Sequence, residues 1–192
     1  MNSNLLSPET SILLVIDPQE KLLPRVFEPE RVTANCILLI KLAQVTKIPL
    51  VVTTQYERGL GNIVEKIRGE FSGLTAVDKV EFGCFNNERF IERVKAFGQS
   101  RNTLVLSGIE SHICVAQTAL GALQRGYNVH VASDATSSRT QWNWKIGLDR
   151  MRAAGAVISS TEMVVYEVLK RSDTAEFKAM LPYLRNSPVF HP

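Results

Sequence analysis

The sequence predicts an α/β protein, a three-layer α-β-α arrangement with a mainly parallel sheet at its centre. Three observations predict it. Ser11–Ile16, Leu50–Thr54, Thr103–Leu106 and Ala156–Ser160 are short, nearly continuous apolar runs without polar alternation, as strands buried on both faces should be. Between them lie segments whose apolar residues recur at three and four, the spacing of amphipathic helices. The alternation of strand and helix then requires crossover connections, and crossovers of that length make parallel sheets.

The elements follow in order. Ser11–Ile16 is the first strand and stops at Asp17-Pro18. Proline disfavours helix in the residue before it, so Asp17 is expected to be extended at the carboxyl end of the strand. That is where open α/β sheets bind ligands, although an aspartate there also serves simply to cap a turn. Glu28-Pro29-Glu30 opens a helix with a proline and acids in its first turn, and Val32, Cys36, Leu39, Ile40 and Ala43 form its apolar stripe. Leu50–Thr54 is the second strand, and Gln55–Asn62 is a polar loop after it. Gly59 and Gly61 in that loop match no phosphate-binding fingerprint.

Ala76–Glu81 is a short mixed run, in which Lys79 alone reads as a surface lysine. Asn86–Phe97 is a helix with an asparagine cap, stopped by Gly98. Tyr127–Ala132 alternates as a strand and runs into a polar loop, Ser133–Arg139. Gln141–Ala154 is helical, Ala156–Ser160 is the last strand, and the chain to about Leu184 forms one or two helices. No repeat, linker or low-complexity segment divides the chain, so residues 1–192 are expected to form one domain.

Composition narrows the function. With 45% hydrophobic and 21% charged residues, the 192-residue chain can bury a sizeable core. The net charge of +3 is small and its Lys and Arg residues are scattered, which disfavours nucleic acid as a partner. No apolar run is long enough to span a bilayer, and residues 1–10 lack the basic and apolar regions of a secretory leader. Three cysteines without C-x-x-C or zinc spacing indicate reduced thiols, and a cytoplasmic location is expected.

The stretch from Asn102 to Gly126 concentrates the chemistry. A buried strand, Thr103–Leu106, passes through a short turn into the helical pattern Cys114–Leu123, so Cys114 stands near the start of a helix. Unpaired N–H groups and the helix dipole favour thiolate there, as a nucleophile requires. Free cysteines are equally often buried apolar fillers, and the residues alone leave both roles open. Cys36, within a helical stripe, and Cys84, in a loop that packs, read as filler.

Taken together, three motifs carry a resemblance. Val15-Ile16-Asp17-Pro18-Gln19 resembles the first-strand D-x-Q motif of the isochorismatase-like cysteine hydrolases. Lys79 resembles their lysine ahead of a phenylalanine-bearing loop, here Phe82-Gly83-Cys84-Phe85, and Gly108–Val115 resembles their G-x-x-[TS]-x-x-C-V segment. The T-x-Q-Y stretch at Thr53–Tyr56 and the D-A-x-S-S-R stretch at Asp134–Arg139 are similar to the isochorismatase-domain-containing subgroup. The resemblance implies a Rossmann-like six-stranded sheet and a catalytic Asp17, Lys79 and Cys114. It also implies a cis peptide bond between Ile109 and Glu110, an oxyanion site at the N–H groups of Glu110 and Cys114, and a substrate pocket touching Gln19, Gln55, Tyr56, Phe85 and Ser111.

The function expected from this resemblance is metal-independent hydrolysis of a small amide or related acyl substrate through a thioester, without a cofactor. The D-x-H metal motif of the nicotinamidase branch has no counterpart in Thr53–Glu57, and Glu20-Lys21-Leu22 replaces the family's common N-D-F after the first motif. The alternative is a non-catalytic or redox-responsive member that binds a ligand or partner through the same pocket. Homo-oligomers are common among relatives, and Gln141–Trp144 offers tryptophans of the kind enriched at interfaces, although both could equally pack within their own subunit. With Lys79 near it, Cys114 is expected to have a thiol pKa below the free value of about 8.5.

Overall fold

In the computed structural model, which describes residues 5–71 and 73–185, six parallel strands form one sheet. They are β1 (Ser11–Ile16), β2 (Leu50–Gln55), β3 (Val77–Lys79), β4 (Thr103–Ile109), β5 (Asn128–Ser137) and β6 (Val157–Ser159), in the spatial order β3-β2-β1-β4-β5-β6. Every residue of β1 and β4 is buried, which is why these segments read as unbroken apolar runs. Side chains alternate between two cores. Leu13 and Val15 face one with α1 (Pro29–Thr46), α7 (Thr161–Leu169) and α8 (Ala175–Arg185). Ile12, Leu14 and Ile16 face the other with α4 (Glu88–Lys95), α5 (Ala116–Leu123) and α6 (Gln141–Ala153). The short helices α2 (Glu57–Leu60) and α3 (Glu65–Arg68) lie between β2 and β3.

Local chemistry accounts for the helix ends. Pro29 opens α1, and the Asn87, Thr140 and Ser160 side chains each accept the N–H three residues on to cap α4, α6 and α7. The cap of α4 is therefore Asn87; Asn86 closes a 3₁₀ turn, Cys84–Asn86, that precedes it.

The polar loop expected at Ser133–Arg139 is instead strand as far as Ser137. A register shift opposite Leu106–Gly108 absorbs the extra residues, after which Thr136 and Ser137 pair with Gly108 and Ile109. Asp134 is anchored on both sides rather than free at a site. Its carboxylate accepts the N–H and hydroxyl of Thr161 at 2.7 and 2.8 Å, and its carbonyl accepts Arg31 and Asn35.

Trp144 packs within its own subunit. Its indole N–H donates to the Ser133 carbonyl at 3.1 Å, and Arg31 lies over its ring. Trp142 is 72% exposed. Among the described residues no helix is long and apolar enough to cross a membrane. Residues 1–4 of the segment compared with a leader lie outside those described.

Candidate active site

The chain reverses direction across the sheet between β1 and β4: β2 and β3 lie to one side of β1, and β4, β5 and β6 lie to the other. Such a switch point opens a crevice at the carboxyl ends of the two strands. Asp17 stands at the end of β1, and the cysteine turn stands at the end of β4. The strands come close there. A Cβ on Gly108 would lie 2.0 Å from the Ile16 carbonyl oxygen, and its φ of +100° suits glycine alone. Asp17 is not extended, as the following proline led us to expect, but left-handed with φ 50°. Its N–H donates to the Thr53 carbonyl and its own carbonyl accepts the Gln19 N–H at 2.8 Å, so two backbone bonds hold the turn.

Lys79, expected from composition to be solvated, is 2% exposed. From the end of β3 its chain reaches across β2, so that Nζ donates to Asp17 Oδ2 at 2.7 Å and to Gln55 Oε1 at 2.8 Å. Asp17 Oδ1 accepts the Thr53 hydroxyl at 2.6 Å. Both charges are thus buried, paired and hydrogen-bonded, the condition under which buried charge is tolerated. Burial alone would pull the lysine pKa down. The adjacent Asp17 charge outweighs it and the net shift is upward, so Lys79 is a cation at neutral pH.

The cysteine turn is a π-helical segment, Ser111–Val115, in which the Glu110 carbonyl accepts N–H groups from Ile113 and Val115 at 3.1 Å. It continues directly into α5. The Ile109–Glu110 peptide bond is cis. Three consecutive residues of this region are tied to the end of β5. The Glu110 carboxylate accepts the Arg139 N–H at 2.9 Å, Ser111 Oγ donates to the Ser137 carbonyl at 3.0 Å, and His112 Nδ1 meets Ser138 Oγ at 2.9 Å. Helix α6 presses on the turn from outside, where a Cβ on Gly147 would lie 2.8 Å from the His112 nitrogen.

Cys114 is 7% exposed and faces Asp17. Its thiol pKa is raised, against expectation. Burial is the largest cause and the Asp17 charge the next, and the Lys79 ammonium opposes them without prevailing. A π turn buried against a carboxylate does not offer the thiol an open helix terminus. Consequently the thiol is held as S–H at neutral pH, with the Asp17 carboxylate near it. Cys36 and Cys84 are fully buried, and burial pushes each up to about 12.

The expected pocket residues separate. Gln19 is fully buried and spent on backbone: Nε2 donates to the Gln55 and Gly61 carbonyls, and Oε1 accepts the Gln55 N–H at 2.7 Å. Gln55 bridges Lys79 and the Val80 carbonyl, and the Ser111 hydroxyl is committed to Ser137. All three side chains hold hydrogen bonds to the scaffold around the site. Phe85 lies elsewhere, packed against Phe90 and Tyr127 and against Gly121, two turns down α5 from Cys114. Tyr56 is half exposed at the carboxyl end of β2. Val80 and Phe82 are exposed beyond the end of β3.

Sequence reasoning passed over Thr53, Thr118 and Gly147. Thr118 Oγ1 accepts the Cys84 N–H at 3.0 Å and ties that loop to the helix carrying Cys114. For Thr53 the available signal was its place at the start of the T-x-Q-Y stretch that ends an apolar strand. Among the described residues no three His, Cys, Asp or Glu side chains are grouped to hold a metal ion.

Comparison with known proteins places the chain. A family model described as the isochorismatase domain matches residues 11–163. Isochorismatase family protein 1A of Dictyostelium discoideum is 34% identical over 180 residues, covering 92% of this chain and 87% of the relative. A Caenorhabditis elegans structure described as MAR1 ribonuclease is 31% identical, with a TM-score of 0.87 and coverage of 95% of this chain and 93% of that one. The YCAC gene product of Escherichia coli, described as an octameric hydrolase of unknown specificity, is 26% identical with a TM-score of 0.91, covering 99% and 94%.

Proposed function

The chain belongs to the isochorismatase family, and from that premise we propose that it is a cysteine hydrolase of a small amide or related acyl compound. The observation that carries the reading is the buried Asp17–Lys79 pair, 2.7 Å apart, facing the Cys114 thiol at the switch point of the sheet. In the first half-reaction Cys114 Sγ attacks the carbonyl carbon while its proton passes to Asp17. The C–N bond breaks, the proton leaves with the amine, and a thioester remains on Cys114. Water then attacks the thioester, giving one proton to Asp17 and from there to the departing thiolate, so that the acid product leaves and the enzyme is restored.

Lys79 stays protonated throughout and offsets the negative charge that moves between sulfur and carboxylate. Backbone N–H groups of Glu110 and Cys114, beside the Ile109–Glu110 bond, are the proposed oxyanion donors; such a donor is typically worth about 10²–10³ in rate. The substrate is small on this reading, because Asp17 is fully buried and Cys114 only 7% exposed. That burial fits an amide better than an RNA strand, although a ribonuclease is what the C. elegans relative is called. The exposed Tyr56, Val80 and Phe82 at the same end of the sheet favour a substrate with an apolar portion. A single domain and a homo-oligomer complete the proposal; the octameric E. coli relative and the exposed Trp142 and Ile146, one turn apart on α6, support the latter.

The test is iodoacetamide labelling of Cys114 against pH, read by peptide mass, with a screen of small amides. A thiol that shares its proton with Asp17 labels on a neutral plateau bounded by an acid limb, with a second rise at high pH. A single rise at high pH, or activity on a found amide that survives Cys114→Ala, overturns the proposal.

A further inference from the structure

We propose that Thr53 is a positioning residue that sets how readily Asp17 takes the Cys114 proton. The inference rests on the hydrolase reading above and concerns a side chain that the reading does not use. Thr53 is the last residue of β2 in register with β1, opposite Ile16, and it is fully buried. Two bonds join it to Asp17. Its carbonyl accepts the Asp17 N–H at 3.1 Å, and its hydroxyl donates to Asp17 Oδ1 at 2.6 Å. The second carboxylate oxygen belongs to Lys79.

The two partners are chemically unlike. An ammonium has only donors and is matched best to the charged carboxylate, whereas a hydroxyl can donate to an unprotonated oxygen of either form and can also accept from the O–H of the acid. When the thiol proton arrives on Oδ1 the Thr53 hydroxyl can rotate to accept it, and when it arrives on Oδ2 the hydroxyl goes on donating to Oδ1, so the Thr53 bond survives either way. In the resting enzyme the same hydroxyl, by donating, favours the anion over the acid. It therefore holds the proton on sulfur until a carbonyl is in place, and it fixes the plane in which the carboxylate meets the thiol.

Removing the hydroxyl without changing the shape of the side chain makes Asp17 the stronger acceptor. In Thr53→Val the acid limb of Cys114 labelling by iodoacetamide is expected to move up by about one to two pH units, the scale of one hydrogen bond to a charged group. The plateau should rise with it, because more of the shared proton rests on Asp17. Thr53→Ser restores the hydroxyl and is expected to return the limb to its wild-type position. A merely structural role would lower the melting temperature and leave the limb where it is. Cys36, fully buried, reports general loosening within the same digest, whereas Cys84 lies against Thr53 and Asp17 and does not serve as that control; Thr53→Ala replaces the valine variant if that one does not fold. An unmoved limb in folded Thr53→Val or Thr53→Ala overturns the inference and leaves the hydrolase reading standing. A wild-type protein without an acid limb overturns both.

Discussion

Lys79→Met removes the cation from the buried pair and keeps most of the length of the unbranched side chain. The pair is a close one: Nζ lies 2.7 Å from Oδ2, and both side chains are fully buried. At an effective dielectric of about 20 that contact corresponds to about 6 kcal/mol of attraction, before the cost of burying the two charges is subtracted. Breaking such a pair from one side leaves a carboxylate without its counter-ion and costs about 3–5 kcal/mol. For a chain of this size each kcal/mol lowers the melting temperature by about 2–4 °C, so a fall of about 6–20 °C is expected at neutral pH. Differential scanning calorimetry on Lys79→Met, Asp17→Asn and the double variant measures it. The double variant should recover much of the loss, because two neutral groups need no counter-charge. A melting point within about 2 °C of wild type for Lys79→Met would refute the reasoning, since thermal shifts of that size belong to exposed ion pairs.

Two further outcomes are expected. Gly147→Ala places a Cβ 2.8 Å from backbone atoms of Ser111 and His112, neither of which can swing aside, so it should cost about 1–3 kcal/mol and slow Cys114 labelling by displacing the turn; calorimetry and the labelling rate check both. His130 is 3% exposed with Nδ1 unpartnered, and burial holds its pKa below the usual value, with Glu167 opposing weakly. The unfolded chain then binds the proton first, so stability is full above about pH 6.5 and is lost as the pH falls through that value toward the lower folded pKa. His130→Leu should flatten this acid slope in urea titrations, and an unchanged slope would count against the assignment.

The strands of this protein were legible because a parallel sheet buries both faces of its strands, which shows as unbroken apolar runs at Ser11–Ile16 and Thr103–Leu106. Asp17 stood out for the same reason, since it follows directly on such a run, and Cys114 stood out as the start of the helical pattern after the turn that follows the second run. Lys79 was legible only through its resemblance to the family's lysine ahead of a phenylalanine-bearing loop. Its own local pattern is that of a surface lysine, and its partner Asp17 is 62 residues away. Only the order of β3, β2 and β1 makes the reach possible.

Tertiary packing likewise decided the left-handed turn at Asp17, where two backbone bonds outweigh the bias from Pro18, and the extension of β5 through polar residues that find partners on α1 and α7. It also reversed the expectation for Cys114. A helix start in the sequence promises a lowered thiol pKa, but the sign depends on solvent and on neighbouring charge, and here burial and Asp17 prevail. Residue types and their spacing record which groups are present along the chain. Their exposure, and the charges they face, arise from segments that meet only when the sheet assembles.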